Sequence, residues 1–287
     1  MQDFLALLEV VLRIFEVSQS PQTFLVLVGL TFARLVSFFS IVPFFGGAAV
    51  PARVKVATAM ALVIILYPAI AATVPENQAL GFGPLGFIGL LAKEVFVGFT
   101  LGFIASLIFE AVQVAGRIVD FQRGSTMGEL YASQLQTRVS ELGQFKLQLA
   151  IVLFIVIGAH RFFIGALLRS FEFIPALTYP KFQPIAPPNV PLGVEMIAQL
   201  TATVLSIGLQ LAAPALIALL LTDLFFGIIN RVAPQVNVFF LSMPVKMLVG
   251  LIVVMIALPV LASRMTYFFG ESYKAFEYAI RVLGGAS

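Results

Sequence analysis

The sequence predicts an all-α, polytopic membrane protein, and three observations carry that prediction. The 287 residues are 60% hydrophobic and only 11% charged, whereas an ordinary soluble domain has about 25% charged and about 45–50% apolar residues. Mean hydropathy is +1.05, and surface grows too fast with chain length for a water-soluble fold to hide that much apolar area. The apolar residues also gather into six runs, each near or above the roughly 20 residues that cross a bilayer core of about 30 Å.

In chain order, residues 1–20 come first. They lack a basic start and contain Asp3, Glu9 and Glu16, which is not the pattern of a cleaved signal peptide. Phe4, Leu5, Leu8, Val11, Leu12 and Phe15 recur at helical spacing, so this segment predicts an amphipathic N-terminal helix at an interface or packed on protein. The apolar runs follow at about Thr23–Val42, Val54–Val74, Leu85–Ala115, Leu147–Phe171, Val194–Ile229 and Val245–Ala262. The third and fifth exceed one crossing, so each tilts, extends beyond the lipid or folds back as a hairpin. Between the runs, Pro43–Pro51 reads as a tight Gly-rich turn, and Glu129–Lys146 is polar and long enough for a helix outside the membrane. Residues 173–193 hold six prolines and one charge. Proline fixes φ and removes a donor, which predicts an extended, semi-rigid strap. Residues 264–287 form an amphipathic tail, and residues 1–287 are read as a single membrane domain.

Lys and Arg in short loops set orientation. Arg53 and Lys55, then Arg117, Arg123, Arg138 and Lys146, then Arg231 and Lys246 mark alternate loops, which places these in the cytoplasm and the proline strap outside. Arg264, Lys274 and Arg281 break the alternation, so either the rule fails at the tail or one segment does not span.

Composition excludes most chemistry. There is no Cys, one His and a net charge of +3, which leaves no thiolate ligand, no two-histidine site and no electrostatic footprint for nucleic acid. The sequence has no GxxxxGK phosphate loop, GxSxG elbow or HExxH spacing. Asp120 and Asp223 would form a dyad only if the fold joined them. No enzyme activity, metal or cofactor is expected. His160 has no acid neighbour before Glu172 and reads as a helix-end or packed histidine rather than a proton relay.

Charges at membrane depth are costly, about 2.5–3.5 kcal/mol on insertion scales, and so face protein or water. Lys93 and Glu94 are either a pore or coupling pair, or a mutually neutralised pair on a helix buried in protein; the general rule favours the second. Arg34 needs a partner that spacing does not name. Glu110, Gln113, Arg117, Asp120 and Gly124 follow spacings of three, four, three and four, a polar stripe on one helical face that meets water or other subunits. In TDLFFGIINRVAPQVNVFFLSMPVK, Asn230, Arg231, Pro234, Gln235 and Asn237 form a polar break between two apolar helices, with Asp223 before it and Lys246 after.

Five stretches carry a family resemblance: IVPFFGGAAVPARVKVATAMAL, KEVFVGFTLGF, AGRIVDFQRG, HRFFIGALLRSF and APALIALLLTDLFFGIINRVAPQVNVFFLSMPVK. In this order, over nearly the whole chain, they resemble the inner-membrane export-apparatus proteins of type III secretion, the SctT/YscT/SpaR/HrcT/FliR family. The run through Asn230–Lys246 is the most specific part, and IVDFQRG looks more like the injectisome branch than the flagellar one. The resemblance implies one copy in a right-handed helical export gate, built of long, broken helices and helical hairpins. Its implied partners are several SctR-like and several SctS-like subunits, a SctU-like export switch protein and unfolded proteins in transit. Its implied place is the bacterial inner membrane, partly raised towards the periplasm.

By that resemblance, residues Phe121, Gln122, Arg123, Gly124, Ser125, Thr126, Met127 and Gly128 belong to a plug in the central pore, where a flexible Met suits a seal that must yield to a polypeptide. Asn230, Arg231, Pro234, Gln235, Asn237 and Lys246 are implied to form a turn that contacts other subunits. The flagellar gate component is the alternative assignment. Without the resemblance, an ion-coupled transporter using Lys93–Glu94 and Asp223 is the competing reading; it predicts inverted halves, and none is found.

Overall fold

Ser20 and Pro21 start the first helix by two separate devices. The Ser20 hydroxyl accepts the Thr23 N–H at 3.3 Å, and Pro21 fills the first turn, where a missing N–H costs nothing. The structure, a computed structural model, describes residues 20–45, 50–72, 83–124, 140–179 and 192–284, the side chains of 141, 192–197 and 282 excepted. Residues 1–19, 180–191 and 285–287 lie outside the described residues, and so do residues 46–49 of the predicted Gly-rich turn.

Among the described residues every regular element is helical. The helices are α1 (Pro21–Ile41), α2 (Ala52–Ala71), α3 (Pro84–Arg123), α4 (Glu141–Val156), α5 (Ala159–Phe173), α6 (Leu192–Val232) and α7 (Val238–Gly284), with a 3-10 turn at Pro43–Phe45. The third apolar run is therefore one continuous helix of 40 residues and the fifth is one of 41, so neither folds back on itself. The last run and the predicted tail belong to one helix of 47 residues. The fourth run differs from expectation. It breaks after Val156, where Gly158 takes φ 79°, a left-handed conformation natural to glycine and fatal to helix continuation. His160 consequently sits in the first turn of α5.

The chain divides into two compact units. The first comprises residues 1–106, 160–189 and 273–287, and the second residues 107–159 and 190–272. In the first, α1 lays its buried face of Leu27, Leu30, Leu35, Phe38 and Phe39 against its neighbours, and Phe24 meets Tyr67 of α2 edge-to-face at 4.8 Å. Gly98 and Gly102 of α3, four residues apart, bring its backbone against α1. A Cβ on Gly98 would collide with the Arg34 carbonyl, and one on Gly102 would stand 2.9 Å from the Phe38 oxygen. Small residues at this spacing are how helices approach closely in membranes, where no hydrophobic force drives helices together. The aromatic rings of Phe38, Phe163 and Phe276 close the unit, with centroids 5.5–6.1 Å apart for Phe163–Phe276 and Phe38–Phe276, in the edge-to-face geometry that ring quadrupoles prefer.

The second unit is built on a triangle of Phe109, Phe154 and Phe269, with centroids 5.0–5.9 Å apart. Gly116 of α3 packs directly on the Gly143 backbone at the start of α4, and a Cβ there would collide with it. Gly116→Val is expected to lower the melting temperature of the detergent-purified protein by several degrees, since overpacking costs about 1–3 kcal/mol. Gly165→Ala, whose new methyl meets open space, is the control and is expected to change little; equal melting for all three proteins would refute the close approach.

Candidate functional site

Two clusters of ionised groups organise the units. In the first unit, Arg34 and Glu94 are fully buried and Lys93 is 7% exposed. Arg34 Nη2 donates to Glu94 Oε1 at 2.9 Å, and Lys93 Nζ lies 2.6 Å from the same oxygen. One carboxylate cannot balance two cations, and backbone carbonyls meet the surplus. Lys93 Nζ donates to the carbonyls of Pro175, Ala176 and Thr178 at 2.8–3.0 Å. Arg34 donates to the Ile174 carbonyl at 2.7 Å and the Ser170 hydroxyl at 2.9 Å, and its guanidinium lies 3.9 Å over the Phe171 ring.

These carbonyls follow the C-terminus of α5, where the helix dipole presents its negative end to cations. The partner that Arg34 requires is thus Glu94, 60 residues away, and the first turn of the proline-rich segment is fastened to α1 and α3 together. Arg34 and Glu94 are fully buried and Lys93 nearly so, and the contacts of the cluster clamp α1, α3 and the segment after α5 to one another.

In the second unit the polar stripe divides. Glu110 and Arg117 are exposed, Gln113 is half-buried and accepts from Arg117, and Asp120 turns inward at 3% exposure. Asp120 accepts from Arg123 Nη2 at 2.6 Å, from the Ser140 hydroxyl at 2.5 Å and from the Leu142 N–H at 3.0 Å. Ser140 also accepts the Gly143 N–H at 2.9 Å and so caps α4. Arg123 precedes the segment 125–139 and Ser140 follows it, so one carboxylate holds both ends of that segment. The stem of Arg123 lies on Gly250, where a side chain would displace it. Gly124, with φ 77°, ends α3. Phe121 is 73% exposed. Ser125, Thr126, Met127 and Gly128 lie outside the described residues.

Beside this anchor, Gln122 Nε2 donates to Asp223 Oδ2 of α6 at 3.0 Å, and Asp223 pairs with Lys246 of α7. The ion pair bridges the polar break. There Ala233 N–H donates to Ile229 at 2.8 Å and Val236 N–H to Ala233 at 3.1 Å, closing a turn between α6 and α7. Asp223, Asn230, Pro234, Gln235, Asn237 and Lys246 line an open cavity of about 620 Å³. Asn230, Arg231, Pro234, Gln235 and Asn237 are all exposed and Lys246 is half-buried, while Val232 at 79% and Phe240 at 69% exposed flank them. Asp120 and Asp223 are each occupied by a cation of their own, Arg123 and Lys246. Among the described residues no cluster of three or more metal-ligating side chains occurs.

Sequence reasoning did not find the Asp120–Ser140 and Gln122–Asp223 contacts; a charge at each end of an apolar run was the available signal. The arrangement offers binding chemistry: a polar recess ringed by apolar residues that a lone chain leaves uncovered.

Known proteins resemble this chain along most of its length. Residues 25–272 match the family described as bacterial export proteins, family 1. The flagellar biosynthetic protein FliR of Bacillus subtilis is 30% identical over 81% of this chain and 86% of its own. The secretion system apparatus protein SsaT of Salmonella typhimurium is 32% identical over 60% of this chain and 64% of its own. The Yop proteins translocation protein T of Yersinia pestis is 34% identical over 64% of this chain and 67% of its own. Identity is higher to the two secretion proteins and coverage is higher to the flagellar one, so the chain resembles both branches.

Proposed function

This chain belongs to the bacterial export proteins, family 1, and from that membership we propose the part it plays in a type III export apparatus. It is a multi-pass membrane component of that apparatus, with five helices among the described residues long and apolar enough to cross a bilayer and a sixth crossing if α4 and α5 count as one. The proposed part is a core subunit of the export gate in the bacterial inner membrane, raised partly towards the periplasm. There it joins SctR-like and SctS-like subunits, beside a SctU-like switch protein, around a channel for unfolded proteins. The same role serves an injectisome or a flagellum. Membership of this family displaces the transporter reading.

The recess at the α6–α7 turn is the observation that carries the partner assignment. Exposed Gln235 and Asn237 amides beside Phe239 and Phe240, 56% and 69% exposed, suit burial against protein, because a contiguous exposed apolar patch rimmed by polar groups is the mark of an interaction surface. Replacing Gln235 and Asn237 with Leu is expected to dissolve the gate complex on native gels while the chain itself still accumulates. Intact complex with normal secretion refutes the assignment.

The plug is proposed for Phe121 and the segment beginning at Gly124. Phe121 points outward from the end of α3, and Asp120 fixes where the following segment leaves and returns. This anchoring supports a short polypeptide stopper held at both ends.

A further inference from the structure

We propose that a cleft in the second unit binds the headgroup of an anionic phospholipid. The cleft, of about 320 Å³, is walled by α4, α6 and α7, and it offers roughly ten times the ~30 Å³ share of one water. Its polar lining is Lys146, Gln210 and Arg264, and Pro214, Leu258 and Val260 stand among its apolar walls.

Lys146 is the telling residue. It is 2% exposed, yet among the described residues its ammonium makes no hydrogen bond or ion pair. The acid whose field reaches it is Asp120, whose oxygens already receive Arg123, Ser140 and Leu142. The stem of Lys146 is buried while its ammonium, which lines the cleft, has no protein acceptor there among the described residues. A cation so poorly solvated favours an anion beside it. Arg264, which is exposed, opens on the same cleft and also has no acid partner among the described residues. Two cations therefore face one space that contains no carboxylate.

Acceptors for headgroup hydroxyls stand beside them. Pro214 has no N–H, which deprives the Gln210 carbonyl of its helical donor. The Gln210 amide donates to Ser206 at 3.0 Å, leaving its own oxygen as an acceptor. A phosphate diester between Lys146 and Arg264, with hydroxyls on Gln210, satisfies all of these groups.

The apolar rim favours a lipid over a soluble anion. Val260 at the mouth is 57% exposed, and Ile217 and Ile256, one helical turn from Pro214 and Val260, are 60% and 71% exposed. Acyl chains arriving with the phosphate cover that face; inorganic phosphate leaves it bare.

The test is native mass spectrometry of the full chain, purified from membranes in non-ionic detergent with whatever subunits accompany it. Dioleoyl-phosphatidylglycerol, dioleoyl-phosphatidylcholine and inorganic phosphate are titrated separately. The expected result is retention of phosphatidylglycerol at one molecule per chain, about tenfold tighter than phosphatidylcholine. Lys146→Gln and Arg264→Gln are each expected to remove about that tenfold preference, and Lys146→Arg to keep it. Arg264 is exposed, so Arg264→Gln reports even where Lys146→Gln fails to fold. Equal binding of the two lipids overturns the proposal, as does a preference that Arg264→Gln leaves intact. Phosphate alone competing fully for the site makes it a soluble-anion site and overturns the lipid. A site closed to lipid in the complex, with Arg264→Gln releasing a neighbouring subunit, shows that an acidic protein side chain fills the cleft and overturns it equally.

Discussion

Glu94→Leu is expected to strip the chain from the membrane fraction almost entirely. The substitution removes the one carboxylate between Arg34 and Lys93, both buried, and leaves two cations facing each other with only neutral groups for support: carbonyls, the Ser170 hydroxyl and the Phe171 ring. Breaking a buried ion pair from one side costs about 3–5 kcal/mol, at least about a hundredfold in a folding equilibrium. Total stability is itself only about 5–15 kcal/mol. Immunoblots of membranes at matched expression measure the loss. Glu94→Asp, which keeps the charge but shortens the reach to Arg34 Nη2 and Lys93 Nζ, is expected to recover part of the signal. Wild-type amounts of Glu94→Leu contradict the clamp, and a specific failure of secretion with normal amounts points instead to a conducting role for the pair.

Deleting residues 124–130 is expected to leave the assembly intact but leaking ions. The deletion removes the proposed stopper yet spares Asp120, Arg123 and Ser140, whose mutual contacts organise the end of α3 and the cap of α4. Conductance of the resting complex in planar bilayers is expected to rise from near background to clear channel currents, and cells expressing it to become sensitive to small ions. An unchanged leak refutes the plug. Asp120→Ala separates anchoring from sealing. It frees both ends of segment 125–139 and strands Arg123 beside Gly250, so it is expected to raise the leak and also to destabilise the chain.

The long helices were legible because their signal is a sum over many residues. Runs predicted from Thr23, Val54 and Leu85 begin at Pro21, Ala52 and Pro84, where prolines and a Ser cap announce themselves. The Gly158 break stayed invisible because hydropathy carries no sign of φ, and Ile157, Gly158 and Ala159 are all apolar or neutral. The far end of α3, read from its three-and-four spacing as a polar stripe on one helical face, is helical to Arg123. Spacing does not disclose that Asp120 turns inward while Glu110 and Arg117 stay exposed, its charge met at close range. The resemblance through Asn230–Lys246 drew attention to the α6–α7 turn, where the structure pairs Asp223 with Lys246. What no periodicity discloses is a pairing across 60 or 101 residues, as for Arg34 with Glu94 and Gln122 with Asp223. Lys93 is harder still, since three of its acceptors are main-chain oxygens that any sequence would supply.

Helix α6 has 41 residues, about 60 Å at 1.5 Å per residue. Containing that length within a hydrocarbon slab of about 30 Å demands a lean of roughly 60°, beyond the 0–40° that spanning helices adopt. Part of a helix whose apolar flank includes Leu221 at 61%, Leu224 at 64% and Leu205 at 57% exposed must therefore emerge where acyl chains no longer reach. On the proposed assignment as a gate subunit, a cell that synthesises this chain ahead of its companions would load its membrane with adhesive rods awaiting cover, and the amount surviving quality control is expected to rise when the companions are co-expressed.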